Sequence, residues 1–399
     1  MKSQGITAPT ELRLAKRMSR LGIESAFEVL HRARLLEAQG RDIVHLEIGE
    51  PDFDTPTNII EAGVHAMQTG WTHYTPSAGL PELREAVAED VSRSRGVKVS
   101  ADEVVIVPGA KPIVFYTIMS LLEEGDEAIC PSPGFPAYES VVSFSGAKPV
   151  LIPLREENDF RLDPNELADL ITDRTRLVIL NSPHNPTGGV LSEQDIRDIA
   201  EAIGDRDIMV FSDEIYSRLV YKGEHFSMMS LDGWKERTVM LDGFSKSYAM
   251  TGWRLGYGVM RADLAVHFSK LMTNSNSCSA SFTQVAGIEA VRGDQESVSR
   301  MCAEFKRRRN RFVEGINKIQ GFSAKVPAGA FYVFPNIRQT GLNSKKLADA
   351  LLQEAGVACL AGTAFGQFGE GYLRFSIANS IENLEKALER VGDWARKNL

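Results

Sequence analysis

Three polar clusters, each following a short apolar run, carry residue types from which covalent chemistry can be built. They are Asn181-Ser-Pro-His-Asn185-Pro-Thr-Gly188, Ser212-Asp213-Glu-Ile-Tyr216, and Asp242-Gly-Phe-Ser245-Lys246, the last running on through Thr251-Gly-Trp-Arg254. A lone lysine is usually a solvated charge. Lys246 differs because it follows an apolar, strand-like run, where desolvation and the neighbouring cation of Arg254 both disfavour an ammonium. An amine so tuned forms a Schiff base with an aldehyde. Asp213, at the end of a second such run, needs a cationic or donor partner once buried. A protonated pyridine nitrogen would be one, in a charged hydrogen bond contributing about 1.5–3 kcal/mol.

Two further features are ambiguous taken alone. The run 103–107 leads through Pro108-Gly109-Ala110-Lys111 into a helix beginning near Pro112, so backbone N–H groups and the helix dipole converge on an anion; a plain βα turn reads equally well. In Tyr372-Leu-Arg-Phe-Ser-Ile-Ala378 the alternation puts Leu373, Phe375 and Ile377 on one face, and Tyr372, Arg374 and Ser376 on the other. Arg374 is then either a planar fork for a carboxylate or an exposed edge arginine. His184 could carry a proton, although a structural role is the commoner outcome. Ser145-Gly-Ala-Lys148 fits S-x-x-K without companion motifs, and neither G-x-G-x-x-G nor G-x-x-x-x-G-K-[ST] occurs.

The elements that must position these residues alternate. Strands are expected at 103–107, 126–130, 148–154, 176–180, 207–211 and 238–241, with helices at about 112–122, 136–145, 163–171 and 192–203. Such βαβ alternation implies an α/β fold, a largely parallel sheet between helices, with ligands at the carboxyl ends of the strands. Beyond about residue 285 the texture changes to a long charged helix (295–318), GAFYVF at 329–334, a helix near 344–355, strands near 357–361 and 372–377, and a last helix, 380–397. The expected organisation is a large domain over 51–285 and a smaller α+β domain over 286–399, on which the N-terminal segment 1–50 packs.

A chain of 399 residues suits two such domains. Its 43% hydrophobic and 25% charged residues are those of a soluble globular protein. The net charge of −8 argues against nucleic acid as a partner, and the basic run Lys306 to Arg309, with Arg311, reads as a solvated helix face. No apolar stretch is long enough to cross a membrane. The N-terminus reads as an ordinary amphipathic first helix. Cys130, Cys278, Cys302 and Cys359 are far apart and no H-E-x-x-H occurs, so a cytoplasmic protein without a structural metal is expected.

The run Gly243-Phe-Ser-Lys246-Ser-Tyr-Ala-Met-Thr-Gly-Trp-Arg254-Leu-Gly resembles the lysine signature of the class I and II aminotransferases, the aspartate aminotransferase branch of the fold-type I pyridoxal-phosphate enzymes. The likeness extends from Ile48-Gly-Glu-Pro-Asp-Phe-Asp-Thr-Pro56 through Asn185-Pro-Thr-Gly188 to Tyr372-Leu-Arg-Phe-Ser376. It implies a seven-stranded-type sheet and a set of roles. Lys246 would hold pyridoxal phosphate and shuttle the proton from the substrate Cα. Asp213 would pair with the pyridine nitrogen, Asn185 and Tyr216 with the ring oxygen, and Arg254 with the phosphate, beside Gly109, Ala110, Lys111 and Ser245. Phe135, in Pro133-Gly-Phe-Pro136, would stack on the ring where the family often has tryptophan. Arg374, helped by the Gly49 N–H, would bind the α-carboxylate. Tyr74, in His73-Tyr-Thr-Pro76, would reach the phosphate of a neighbouring subunit, which implies a homodimer with shared sites. The phosphate loop lacks a common serine or threonine, and Gly243 replaces a frequent serine.

The activity so implied is ping-pong transfer of an amino group from an L-amino acid to a 2-oxo acid. Aspartate or glutamate with 2-oxoglutarate comes first, because a lysine at the Lys111 position serves the distal carboxylate in some relatives; Pro112 departs from their pattern. Neutral or aromatic donors, and elimination or oxidation on the same cofactor, are the alternatives. A regulator on this fold would need an added DNA-binding domain, for which the roughly 50 residues before Pro51 leave no room.

Overall fold

Apolar runs too short for helices become strands of one central sheet, and the helices between them cover its two faces. The chain is described here by a computed structural model covering residues 12–22 and 24–399. It opens with α1 (Ser25–Glu37), β1 (Val44–His45), α2 (Thr57–Gln68) and α3 (Pro81–Arg95). The alternating part follows as β2 (Val104–Val107), α4 (Lys111–Leu121), β3 (Glu127–Ser132), α5 (Ala137–Ser145), β4 (Lys148–Pro153), α6 (Pro164–Leu170), β5 (Thr175–Asn181), α7 (Glu193–Ile203), β6 (Met209–Asp213) and β7 (Thr238–Gly243). Then come α8 (Phe244–Ser247), β8 (Gly256–Val259), α9 (Ala262–Ser275) and α10 (Ser281–Arg292).

The seven strands run in the order β2-β8-β7-β6-β5-β3-β4. All neighbours are parallel except β8, which lies antiparallel between β2 and β7. Strand β8 was not expected, because Gly256-Tyr-Gly-Val carries too little β-branched character to stand out. Its glycine has a steric reason: a Cβ on Gly256 would lie 2.5 Å from the backbone nitrogen of Ala110. The turn into α4 thus presses directly on β8.

The C-terminal part holds α11 (Glu296–Ile316), β9 (Tyr332–Val333), α12 (Ser344–Ala350), β10 (Val357–Ala358), β11 (Leu360–Ala361), β12 (Leu373–Ser376) and α13 (Ile381–Asn398). The helix expected near 344–355 is α12 followed by a single π turn, Leu351–Ala355. Strands β11, β12 and β9 form an antiparallel sheet within this part, and a parallel pair, Val44 opposite Val357, ties the N-terminal segment to it. Phe305, Phe312, Phe331, Phe375, Leu384 and Trp394 form its core. Tyr216 and Leu219, just beyond β6, belong to the same apolar cluster, so the end of the large sheet is embedded in the smaller core.

Three expectations need correcting. The run Lys306 to Arg309 is not a uniformly solvated face: Arg308 is buried between Asp52, at 2.6 Å, and Glu304, at 2.8 Å, while buried Arg309 donates to the Pro327 carbonyl and lies over Tyr221. Arg374 is not an exposed edge arginine: it is buried and its strand is the middle one of three, with Leu373, Phe375 and Ile377 together in one apolar cluster. The first helix falls largely outside the described residues, and Lys16–Arg20 within it is a single 3₁₀ segment. Among the described residues, no helix is long and apolar enough to cross a membrane, and no group of three His, Cys, Asp or Glu is arranged to hold a metal ion.

Candidate active site

Strands β5, β6 and β7 end side by side, with Asn181 opposite Asp213 and Asp213 opposite Leu241. Parallel pairing therefore delivers the three polar clusters to one edge. Lys246 follows on the short α8 and is half-buried; its amine nitrogen donates to the Gly49 carbonyl and lies 5.9 Å from the Phe331 ring centre. Burial of that nitrogen lowers its pKa from 10.5 to about 8, Glu50 opposing and Arg374, Arg254 and Lys111 adding to the fall.

Asp213 accepts the Tyr138 hydroxyl at 2.6 Å and the Ile215 N–H at 3.2 Å, and no cationic side chain pairs with it among the described residues. Burial pushes its carboxyl up to about 7, Tyr138 and Ile215 pulling down and Asp242 and Glu214 adding to the rise. The Tyr216 hydroxyl is 2.7 Å from that of Tyr332, and burial raises both phenols. Arg374 is enclosed, with Nη1 donating to Asn185 Oδ1 at 3.1 Å and Nη2 to the Glu47 carbonyl. Tyr332 and Phe365 flank it at 4.5 and 4.8 Å, and its buried Nε has no partner.

On the other side Gly109 has φ +79°, and a Cβ there would strike the guanidinium of Arg254. Arg254 is exposed, itself at φ 54°, with Nη1 on the Thr251 carbonyl at 2.9 Å. It therefore lies across the turn Gly109-Ala110 at the start of α4, while Ser245 is buried within α8. Phe135 stands edge-on to Tyr138 at 5.5 Å, with Lys111 Nζ 5.4 Å above it. Lys111 is not a free cation; it pairs with Glu24. At Gly49 the contact seen is the carbonyl to Lys246, not a donated N–H. Tyr74 joins none of these contacts: it is 88% exposed, on the wall of a cleft of about 350 Å³ with Trp71, His73 and Ser281. His184 bonds Thr187 at 2.8 Å and burial lowers it to about 3, so it is neutral and structural.

Tyr138, Tyr332 and Glu24 were not anticipated. Tyr138 sits three residues after Phe135 and Tyr332 inside GAFYVF, where an aromatic residue signals only packing.

The family model described as Aminotransferase class I and II matches residues 41–391. The chain is a class I and II aminotransferase. The aspartate aminotransferase of Pyrococcus horikoshii is 44% identical over 91% of this chain and 92% of its own. Aromatic-amino-acid aminotransferase 2 of Thermococcus litoralis is 41% identical over 89% and 92%. The crystal structure of the aspartate aminotransferase from Rhizobium meliloti superposes with a TM-score of 0.93 at 34% identity, covering 98% of this chain and 100% of that one.

As an aminotransferase of this family the enzyme uses pyridoxal phosphate, and its side chains suit that group. A shielded amine is available to an aldehyde, a buried carboxylate lacks a cation that a protonated ring nitrogen would provide, and a guanidinium crosses a glycine turn at a helix start, as an anion requires.

The amine should lose its proton near pH 8 rather than 10.5. Reductive modification of Lys246 in the cofactor-free aminotransferase by a small aldehyde should accordingly climb between about pH 7 and 9. A midpoint above about pH 10 in peptide mapping would show a solvated lysine instead.

Proposed function

We propose that this aminotransferase moves the amino group of an L-amino acid, aspartate or glutamate first, to a 2-oxo acid such as 2-oxoglutarate, as a cytoplasmic homodimer working by a ping-pong sequence. The observation that carries this reading is the convergence of Lys246, Asp213 and Arg374 on one cleft. In it, Asp213 holds the ring nitrogen, Asn185 and Tyr216 the ring oxygen, and Phe135 one ring face. Arg254 binds the phosphate with Gly109, Ala110, Lys111 and Ser245, and Tyr74 of a second copy completes that pocket. Arg374 and Gly49 hold the substrate α-carboxylate. Residues 51–285 form the cofactor domain, and 1–50 with 286–399 the smaller one, an organisation that the pairing of β1 with β10 supports.

Bound pyridoxal phosphate supplies an electron sink that makes the substrate Cα–H acidic. The protein supplies the rest. Arg374 fixes the α-carboxylate, so the Cα–H faces Lys246. Lys246 Nζ, brought near neutrality by burial, accepts that proton and holds it for return. Aromatic rings around Arg374 keep water from the guanidinium and strengthen its grip.

A second reading, toward neutral or aromatic donors, has its own support. Glu24 already neutralises Lys111, so a distal carboxylate must displace a charge already in place. An uncharged side chain need not. The relative from Thermococcus litoralis carries an aromatic name.

The dimer is supported by an exposed apolar stripe on α2, Ile60, Val64 and Met67, continued by Trp71. Charging it by Val64→Glu should halve the mass seen in sedimentation, and a wild-type monomer would end the proposal. Lys246→Ala should lose on the order of 10²–10⁴-fold in kcat for the proton step alone, with the fold unchanged by circular dichroism; near-normal turnover would remove Lys246 from the mechanism. Glu24→Gln should lower KM for aspartate several-fold while leaving neutral donors within about twofold, an ion pair of this exposure being worth about 1 kcal/mol or less. Equal shifts for both donor classes would mean that Lys111 does not meet the distal carboxylate.

A further inference from the structure

Behind Asp213 lies a buried knot of charge that the reaction itself does not use. The side chain of Arg95, in the last turn of α3, is 8% exposed; its Nε donates to Glu214 Oε2 at 2.8 Å and its Nη2 to Asp242 Oδ2 at 3.1 Å. Glu214 follows Asp213 directly, and Asp242 lies four residues before Lys246. The remaining acceptors are taken locally: Glu214 by Ser212 at 2.9 Å and by Ser227 and His225, Asp242 by Ser217 at 2.8 Å and by the Gly243 N–H.

The position of this knot is what matters. Ladder pairing between β6 and β7 stops at Asp213 opposite Leu241, and from there one chain leads to Tyr216 and the other to Lys246. Arg95 spans the divergence from a third element. It is also the cation that both carboxylates share, and buried acids that lose such a partner are strongly destabilised. The other ionisable groups facing the knot are Asp213, Tyr248, Tyr257, His225 and the pair Arg218–Asp90 at 2.6 Å. Burial raises Asp242 despite Arg95, whereas Glu214 is held down to about 2 against burial by His225 and Arg95.

We propose that Arg95 is a positioning residue of the cofactor site: it locks the diverging ends that carry Asp213 and Lys246, and it balances the two carboxylates standing behind them. This rests on the site reading given above. Because the acids sit beside groups that ionise with the cofactor, their balance sets a pH midpoint as well as a geometry.

The test uses the full chain, with pyridoxal phosphate as the probe, in the variants Arg95→Met, Arg95→Lys, Asp242→Asn and the double variant Arg95→Met/Asp242→Asn. The readouts are the dissociation constant for pyridoxal phosphate, the pH midpoint of its bound visible absorbance, and the melting temperature. Arg95→Met should weaken binding about tenfold or more and raise the midpoint by on the order of half a unit, because an uncompensated negative charge favours the protonated form. Asp242→Asn should move the midpoint down, and the double variant should return it toward wild type. Arg95→Lys should keep the midpoint within about 0.2 units while losing some affinity, since it keeps the charge but not the fork. Loss of packing alone would lower the melting temperature without that reversal. A double variant as displaced as Arg95→Met, or a folded Asp242→Asn with an unmoved midpoint, would overturn the proposal, and the latter decides the matter even where Arg95→Met does not fold. A wild-type chain that takes up no pyridoxal phosphate would sink the site reading instead, and Arg95 with it.

Discussion

An amine taken out of water at the end of a sheet strand is the constraint on which the rest of this structure depends. An ammonium loses several kcal/mol of hydration on burial unless it is paired, and Lys246 is given a carbonyl, Gly49, rather than a carboxylate. The carbonyl satisfies its hydrogen bond without stabilising its charge as an acid would. Burial consequently lowers the Lys246 pKa from 10.5 to about 8, and the residue reaches that place because β7 is buried along its whole length and leads directly into α8.

The charges around that amine are arranged by the same rule. Arg374, Arg254 and Lys111 all lower its proton affinity, and Glu50 is the acid that opposes them. Three cations around one cleft, each on a different element, suit ligands that bring their own negative charge at separate points. Asp213 stands on the opposite side of the balance, a carboxylate without a cation. Anionic groups at separate points and a cationic ring nitrogen are what these charges suit, and the family's cofactor carries that pattern.

Much of this was legible in the sequence because parallel strands are short, apolar and followed by their polar loops. Asp213, at the end of β6, and Lys246, just beyond the end of β7, could be named because a buried strand makes the polar residues at its end conspicuous, whereas Asn185, beyond the end of β5, was assigned through the family resemblance. What could not be read were partners fixed only by three-dimensional packing. Tyr138 reaches Asp213 across 75 positions and Tyr332 reaches Tyr216 across 116, and neither carries a local signal beyond being aromatic. Strand β8 was hidden by its glycines, needed for close approach rather than for strand propensity. Arg308 and Arg309 looked solvated because their acids and carbonyls come from distant segments, Asp52 and Pro327.

Those long-range partners also couple the central sheet to the C-terminal one. Asn185 belongs to the loop after β5, whereas Arg374 and Tyr332 belong to the C-terminal sheet, and the contacts Asn185–Arg374 and Tyr216–Tyr332 join them through the site itself. Arg374 spends Nη1 on Asn185 and Nη2 on the Glu47 carbonyl, leaving Nε without a partner. A two-bond grip on a carboxylate needs a second donor beside Nε. Each Nη spends only one of its two N–H groups on these partners, so Nε and the second N–H of an adjacent Nη can grip a carboxylate with both existing contacts kept. Held by the loop after β5 on one side and by the segment after β1 on the other, the guanidinium plane is fixed by two distant parts of the chain, so the group that can grip a carboxylate is oriented before one arrives.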